Sequence, residues 1–397
     1  MREKVRRSTA RAVFLLLAVF LSVLCFQWVT AAAKEESQVK KYVVMGDSIA
    51  AGYALEGYED EGVLPRDSYA ARIGKELGVT PVNCAKSGIT SQEVLDKLKN
   101  GAYDEALSGA DFVTLSFGSN DLLEPFTDCL YAVFGEEFQG KNAEEAMQLF
   151  KGKYNPATKD GRKKLQDKWL ELRERLLHDQ KINAAPEKFS DIFSETMDLL
   201  RKKAPKARIF VTSMYNPFRT FELSLPGIFE FDLGTVCDDY IERMNQKIYT
   251  QKEGYELVDV YPVFQKYPCV NARFTILDLS QFSLDPHPDV YGHKVIAEMI
   301  LNTWKPERLL KQISVKKQIS LKEGRKGKIQ IMMPESQEGK WNPYEEAATA
   351  FYSSNDKVVK VSRKGKLTAG KAGTAKVKVS IFLNGVEKKY PVKVRVS

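Results

Sequence analysis

Histidine and cysteine are scarce in this chain of 397 residues, which has three histidines and five cysteines. The cysteine spacings match no zinc-binding pattern, so the sequence gives no sign of a metal site held by cysteines. Three histidines leave few candidates for a side chain that exchanges protons near neutral pH. Each histidine can therefore be weighed on its own.

The three histidines stand in different contexts. His178 belongs to a segment, Lys164 to Gln180, in which apolar residues recur at helical spacing opposite a charged face, so we expect it on a helix surface. His293 falls inside an apparent helix from Val290 to Trp304 and is predicted to pack there. His287 is flanked by two prolines just before that helix, in a loop with restricted backbone angles. It is the best candidate for a general base.

A serine follows the first predicted strand. Lys41 to Met45 is rich in β-branched and aromatic residues, which suits a buried strand of a parallel sheet. Gly46 allows a sharp turn at the carboxyl end of that strand, where open α/β sheets place their ligands. Ser48 then projects into the crevice. A helical turn after it would leave backbone N–H groups free for a developing oxyanion, so nucleophile and oxyanion donor would share one turn.

Two further polar blocks follow predicted strands. Asn120 comes after a buried strand, Phe112 to Phe117, and its side-chain amide offers a second donor for the oxyanion. Gly88 comes after a short strand, Val79 to Cys84, and a glycine lets the backbone N–H approach a substrate closely. Each block alone is typical of a turn, but their joint order indicates an acyl-transfer site.

The blocks around Ser48, Gly88, Asn120 and His287 together resemble the GDSL or SGNH hydrolases, a family named for these four residue types. The resemblance covers roughly Lys40 to Glu307. It implies an α/β fold with three α/β/α layers and a mostly parallel five-stranded sheet. It also implies carboxylic-ester hydrolysis, as an esterase or lipase, without a metal or other cofactor.

The resemblance implies a role for each of these residues. Ser48 is the expected nucleophile and His287 the expected base, while the Ser48 N–H, the Gly88 N–H and the Asn120 amide form the expected oxyanion hole. The family usually places its acid three residues before the histidine, where this chain has Leu284. Asp285, two residues before, is therefore the expected third member. A backbone carbonyl is the alternative, which would leave a Ser-His dyad.

Other reactive residues near the motifs receive structural interpretations. Asp47 and Asp121 are short carboxylates that can accept from loop N–H groups, so we interpret them as scaffold. Cys84, close to Gly88, is interpreted as packed core rather than as a nucleophile. The four cysteines beyond the N-terminal segment are expected to be buried free thiols: Cys84, Cys129, Cys237 and Cys269.

The N-terminus has the organisation of a bacterial secretory signal. Five Lys and Arg residues precede an apolar stretch, Ala12 to Val29, which leads into Ala31-Ala32-Ala33. We expect residues 1–33 to be a signal peptide cleaved after Ala33, which would make the protein secreted or attached to the cell surface. The stretch is long enough that an uncleaved membrane anchor is the alternative.

The pattern changes after residue 310, so we expect a hydrolase domain over residues 34–310 and a second domain over 311–397. Short strands are predicted at Gln318 to Leu321, Lys328 to Ile331, Val358 to Val361, Ala375 to Val379 and Val392 to Val396. About the last eighty residues resemble a bacterial immunoglobulin-like domain of group 2, a small all-β sandwich. Such domains imply an extracellular setting.

Charge separates the two predicted domains. Residues 1–33 carry five Lys and Arg and one Glu, and residues 311–397 carry twenty Lys and Arg and seven Asp and Glu. Since the whole chain carries +8, residues 34–310 carry −9. The +13 of the last domain favours an anionic partner, which outside a cell suggests a wall polymer or a membrane surface rather than nucleic acid. A lysine-rich domain without a dedicated ligand is the alternative.

A long insert separates the third strand from the next part of the sheet. Residues 122–205 exceed what a sheet connection requires, and helices are predicted at Glu136 to Gly152, Lys163 to Gln180 and Lys188 to Lys203. Together with an aromatic loop, Phe218 to Phe231, the insert is predicted to form part of the wall of the cleft. Ordinary packing is the alternative.

Three functions remain open from the sequence alone. The first is a secreted serine esterase or lipase that acts on an acylated polysaccharide or a lipid. The second is a surface adhesion or wall-binding protein on a hydrolase scaffold, although the intact Ser48, Asn120 and His287 argue against it. The third is an acyltransferase to a wall polymer, which would use the same residues but exclude water from the acyl-enzyme.

Overall fold

The computed structural model of the protein describes residues 38–397 except 61, 139–144, 146–147, 150–151, 156–157, 226–228, 252 and 274–282. The predicted signal peptide lies outside the described residues. The helices are α1 (Ser48–Ala51), α2 (Tyr69–Leu77), α3 (Ser91–Lys99), α4 (Asp104–Leu107), α5 (Ser119–Phe138), α6 (Lys159–His178), α7 (Gln180–Lys203), α8 (Leu233–Thr250), α9 (Tyr261–Lys266), α10 (Val290–Trp304) and α11 (Glu307–Gln312).

The strands fall into two groups. The first seven are β1 (Tyr42–Gly46), β2 (Val82–Ala85), β3 (Phe112–Ser116), β4 (Arg208–Thr212), β5 (Glu222–Leu225), β6 (Phe229–Asp232) and β7 (Glu256–Val258). The others are β8 (Ser314–Val315), β9 (Gln318–Leu321), β10 (Lys326–Lys328), β11 (Ile331–Met332), β12 (Ala348–Ser353), β13 (Val359–Val361), β14 (Lys366–Ala369), β15 (Gly373–Leu383) and β16 (Val386–Val396).

A five-stranded sheet forms the centre of the first part of the chain. Its strand order is β2-β1-β3-β4-β7, and every neighbouring pair is parallel. This confirms the predicted parallel sheet. Every residue of β1 and β3 is buried, because helices cover both faces of the sheet. The register sets Gly46 between Ala85 and Ser116, so three carboxyl ends meet at one edge.

Alternation along the strands sends side chains into two separate layers. Val43 and Met45 of β1 pack into a core with α3, α7 and α8. Tyr42 and Phe112 point to the opposite face, where Phe112 meets the ring of Trp304 from α10 at 5.7 Å between centroids. The result is the expected three-layer α/β/α arrangement.

The helices of the insert differ from the prediction in two places. α5 runs from Ser119 to Phe138 although Pro125 lies inside it, and the proline is why the sequence did not suggest a helix there. The predicted helix from Glu136 to Gly152 falls largely outside the described residues. α7 begins at Gln180 rather than Lys188, because the Asp179 side chain accepts from the Ile182 N–H and caps the helix.

The remaining connections also refine the prediction. Part of the predicted aromatic loop, Phe218 to Phe231, is an antiparallel pair of strands, β5 and β6.

The described helices include none with the length and hydropathy that a membrane-spanning segment needs.

The last part of the chain is all-β. A four-stranded sheet, β12-β15-β16-β9, and a three-stranded sheet, β10-β14-β13, share one apolar core with the pair β8 and β11. The strand predicted at Lys328 to Ile331 is wrong, because the chain passes from β10 to β11 there and changes partners. Leu309 and Leu310 of α11 also belong to this core.

Polar contacts link this all-β part to the α/β part. Glu345 accepts from Lys266 at 2.6 Å and from the Tyr267 hydroxyl at 3.2 Å. The Tyr291 hydroxyl accepts from the Trp341 N–H at 2.5 Å, and the Lys340 ammonium lies 3.8 Å from the centre of the Tyr291 ring. Residues 41–397 accordingly form one compact unit.

Candidate active site

Ser48 lies at the carboxyl end of β1, on the turn that begins α1. Asp47 caps this helix, because its side chain accepts from the Ile49 N–H at 3.0 Å. Gly46 has φ +131°, and a Cβ there would lie 1.9 Å from the backbone oxygen of Ser116. The turn therefore requires glycine, since β3 leaves no room for a side chain. Ser48 itself keeps 8% of its surface exposed.

His287 reaches Ser48 from the far end of the sequence. Its Nε2 is 2.9 Å from the Ser48 Oγ, although the two residues are 239 positions apart. The imidazole side chain is 13% exposed, and the Tyr53 ring covers it at 4.5 Å between centroids. The nucleophile candidate and the base candidate are thus already within hydrogen-bonding distance.

Asp285 contacts the other nitrogen of the same ring. Its Oδ1 lies 2.5 Å from the His287 Nδ1 and also accepts from the His287 backbone N–H at 3.1 Å. Burial opposes ionisation of this carboxyl, but hydrogen bonds from His287 and Asn271 outweigh burial and hold the pKa of Asp285 below its usual value. An ionised Asp285 keeps the proton on Nδ1, so the neutral ring presents the lone pair of Nε2 to Ser48.

Residues that the sequence did not single out hold the His287 loop in place. Asn271 donates from Nδ2 to Asp285 Oδ2 at 2.9 Å, and its backbone N–H donates to the His287 carbonyl at 2.9 Å. The Tyr215 hydroxyl donates to the Pro286 carbonyl at 2.9 Å. Both residues lie in other segments of the chain, and no local pattern marks them.

The three expected oxyanion donors occupy neighbouring strand ends. Ser48 is the first residue of α1, and the first N–H groups of a helix have no acceptor within it. Gly88 has φ +76° and faces open space, with no atom within 4 Å of a Cβ built there. Asn120 uses one N–H of its amide to donate to the Ile89 carbonyl at 2.9 Å, which orients the amide and leaves its second N–H.

The two acids interpreted as scaffold contact other partners. Asp121 accepts from the Ser91 N–H at 3.0 Å and from the Ser91 hydroxyl at 2.6 Å, although burial raises its pKa. Asp47 is fully buried, and burial raises its pKa to about 7. Its Oδ1 caps α1, while among the described residues its Oδ2 has no partner.

Neither of the other histidines lies with Ser48. The side chain of His178 is 76% exposed and contacts Glu174 on the surface of α6, as expected for a helix-surface residue. His293 is fully buried in α10 and accepts from the Tyr69 N–H through Nδ1 at 3.2 Å. Burial lowers the pKa of His293 to about 3, so this ring is neutral in the folded protein.

The cysteines stay apart from this chemistry. All four described cysteines are free thiols, as expected, but only Cys129 and Cys269 are buried, while Cys84 and Cys237 are half-buried. Burial raises the pKa of the Cys84 thiol, and its side chain packs against the core beneath β1. Within the part of the chain that the structure describes, three or more His, Cys, Asp or Glu side chains nowhere cluster in a way that could hold a metal ion.

A half-enclosed, mostly apolar cavity lies directly beside Ser48. Ser48, Asn120 and His287 line it, and side chains from the helical insert form part of its wall. The other wall residues are Ile49, Ser119, Leu122, Leu123, Phe126, Leu176, Ile182, Met214, Tyr215, Pro217, Phe218, Val236, Cys237, Tyr240, Ile241 and Pro286. A second, open cleft lies on the other side of His287, against Tyr53, Glu56 and Tyr58.

The chain is similar to several known proteins. It is 23% identical over 281 residues to the uncharacterized protein YpmR of Bacillus subtilis strain 168, covering 70% of this chain and 87% of that one. Among solved structures, an extracellular lipase from Streptomyces rimosus is 18% identical, with a TM-score of 0.42 and coverage of 66% and 99%. A phospholipase A1 from Streptomyces albidoflavus NA297 is 18% identical, with a TM-score of 0.41 and coverage of 67% and 99%.

A family model matches most of the α/β part. The model is that of the GDSL-like lipase and acylhydrolase family, and it matches residues 44–295, from β1 into α10. This span is more than half of the chain and contains every residue of the site described above. The chain belongs to the GDSL-like lipase/acylhydrolase family.

Proposed function

We propose that the protein is a serine esterase that hydrolyses carboxylic esters, with Ser48 as nucleophile, His287 as general base and Asp285 as the acid that orients the histidine. The supporting observation is the continuous chain of contacts from Ser48 Oγ to His287 Nε2 at 2.9 Å and from His287 Nδ1 to Asp285 at 2.5 Å. This geometry favours the triad over the dyad, because a carboxylate occupies the position that a backbone carbonyl would otherwise fill.

The proposed reaction has two halves. In the first, His287 Nε2 takes the hydroxyl proton as Ser48 Oγ attacks the ester carbonyl, and then gives this proton to the departing alcohol oxygen. In the second, a water molecule loses a proton to His287 and attacks the acyl-enzyme, which releases the carboxylic acid and restores Ser48. Asp285 stays ionised throughout and stabilises the imidazolium between the two transfers.

The proposed oxyanion hole consists of the backbone N–H groups of Ser48 and Gly88 and the free N–H of Asn120. These donors come from three adjacent strand ends and are fixed before substrate binds, so they need no reorganisation during the reaction. Loss of one such donor, as in Asn120→Ala, is expected to lower kcat by roughly a hundredfold to a thousandfold.

The proposed setting is extracellular. The sequence of residues 1–33 supports export, with cleavage after Ala33. We further propose that the all-β part is an immunoglobulin-like domain that binds an anionic wall polymer. Lys376 stands directly opposite Lys393 on the exposed face of β15 and β16, an arrangement of like charges that costs stability and favours an anionic ligand.

The esterase proposal is tested with p-nitrophenyl butyrate and the chain from Lys34 onward. Hydrolysis is expected for the parent and for Ser108→Ala and His178→Gln, which change exposed residues of the same types. Ser48→Ala and His287→Gln are each expected to lower kcat by about 10⁶-fold, with residual turnover from the oxyanion hole and substrate binding. Folded protein without turnover that instead acylates an added alcohol would point to a transferase; equal turnover in Ser48→Ala would refute the proposal.

A further inference from the structure

The cavity beside Ser48 extends away from the catalytic groups into the helical insert. Its far wall combines Leu176 at the end of α6, Ile182 at the start of α7 and Tyr240 of α8, all of which are at least 90% buried. Phe126 of α5 and Val236 of α8 line the stretch between. These elements come from three separate segments of the chain, so the cavity is a product of tertiary packing.

The part of this cavity that lies within the helical insert has few polar groups for a ligand. The Tyr240 hydroxyl already donates to the Leu176 carbonyl at 3.2 Å. Burial raises the pKa of the Cys237 thiol, so this group stays neutral. A sugar ring placed there would lose its hydrogen bonds to water without replacing them, whereas a hydrocarbon chain would gain from leaving water.

The volume of the cavity limits the length of such a chain. The centre of a water-sized sphere can occupy about 90 Å³ of it. One water needs at least roughly 10–15 Å³ by this measure, so the cavity holds at most about six to nine groups of that size. A methylene group is close to a water molecule in size, so a cavity of this volume fits an acyl chain of medium length.

The spaces on the two sides of His287 also differ, and the difference indicates where the acyl half and the alcohol half of an ester bind. The apolar cavity adjoins Ser48 and Asn120, which would contact the carbonyl carbon and oxygen. His287 lines both spaces, with Tyr53 and Tyr58 in the open cleft, whereas Ser48 and Asn120 line the cavity and not the cleft. Because His287 must protonate the leaving alcohol, and the carbonyl binds beside Ser48 and Asn120 in the cavity, the alcohol belongs in the open cleft and the acyl group in the apolar cavity.

We propose that this cavity is an acyl-chain site that selects straight-chain acyl groups of about six to nine carbons, so that the natural substrates are lipid-like esters rather than acetylated sugars. This inference rests on the proposed esterase function. The open cleft then receives an alcohol of variable size and polarity.

The test is kcat/KM for p-nitrophenyl esters from acetate to palmitate. Each methylene buried in the cavity is expected to raise kcat/KM by roughly fourfold, with a maximum between hexanoate and nonanoate and a fall beyond it. Serine-dependent turnover that is highest for acetate, or equal for all chain lengths, would overturn the acyl-chain site and leave the esterase function standing. Absence of turnover on every ester would overturn both.

Two opposing variants locate the site. Val236→Phe partly fills the cavity and is expected to move the optimum two or more carbons shorter, while Ile182→Ala extends the cavity and is expected to move it longer. Val63→Phe is the matched control, because Val63 is 84% exposed and is not among the residues that line the cavity, and it should keep the parental profile. Unchanged optima in both folded cavity variants would contradict the proposal.

A binding measurement separates recognition from turnover. Titration calorimetry of the parent with octanoate should show saturable binding with a negative heat-capacity change, and with acetate should show none. Val236→Phe should weaken octanoate binding by tenfold or more. Equal binding of octanoate by the parent and a folded Val236→Phe would place the acyl chain elsewhere.

Discussion

The turn that carries Ser48 and the loop that carries His287 are built in different ways. The Ser48 turn depends on its own neighbours, since Gly46 provides the backbone angle and Asp47 provides the helix cap. The His287 loop depends on distant partners, with Asn271 and Tyr215 holding it from other segments. One half of the site is therefore encoded locally, and the other half exists only after the chain has folded.

Among the residues that shape the loop and the turn around Ser48 and His287, the largest expected effect comes from Asp285→Asn in the loop. The amide cannot hold the proton on His287 Nδ1 as the carboxylate does, so the ring loses the tautomer that activates Ser48. A fall in kcat of about 10⁴-fold with little change in KM is expected. Steady-state kinetics on p-nitrophenyl butyrate measure it. A loss below tenfold would show that a backbone carbonyl, and not Asp285, orients the ring.

The next effect, on stability, comes from Gly46→Ala in the turn. The added Cβ would meet the Ser116 carbonyl at 1.9 Å in a backbone region that other residues rarely adopt. We expect the free energy of unfolding to fall by about 3–5 kcal/mol, as seen for severe steric changes in a core. Urea unfolding measures it. Gly57→Ala also changes a glycine of positive φ but meets no atom within 4 Å, so it should cost much less.

Asp47→Asn should change how stability depends on pH. Because burial raises the folded-state pKa of Asp47 to about 7, this group favours the folded state below its usual pKa of about 4 and loses that contribution as pH rises towards 7. The free energy of unfolding of the variant minus that of the parent should be larger at pH 7.5 than at pH 5, by a few kcal/mol at most. Unfolding at both pH values measures the difference.

His293 makes the opposite contribution over part of this range, so the comparison must be between variant and parent. Its folded-state pKa of about 3 means that it stabilises the folded protein above pH 6.5 and loses that stability as pH falls. An equal pH dependence in the parent and Asp47→Asn would show that Asp47 titrates normally in the folded state.

The smallest expected effect comes from Asn271→Ala, which removes one donor to Asp285 while leaving the triad residues intact. A hydrogen bond to a charged group contributes roughly 1.5–3 kcal/mol, so kcat/KM should fall by about tenfold to a hundredfold. Asn271→Ser, which keeps a donor, should recover part of the loss if Asn271 positions Asp285. A lower kcat in Asn271→Ala that is partly recovered in Asn271→Ser would show that the loop depends on this distant partner. An unchanged kcat in Asn271→Ala would show that it does not.

The same contrast explains what the sequence could predict. The residues of β1 and β3 form local sequence patterns, and the four polar blocks follow in a recognisable order. These patterns are sufficient to predict the parallel sheet and to indicate Ser48 and His287 as site residues. Asn271 and Tyr215 carry no such pattern, because their roles arise from contacts across the fold. Sequence patterns do not predict α5 because Pro125 weakens the local helix signal, and they do not predict the cavity because side chains from widely separated segments form its walls.

The most direct test of the central claim is to label the nucleophile covalently. The protein is treated with a fluorophosphonate that reacts with activated serines, and the labelled peptide is identified by mass spectrometry. The proposal predicts one label on Ser48 and none after His287→Gln, with His178→Gln labelled like the parent. A label on Ser119 or another serine, or none on protein shown to be folded, would contradict it.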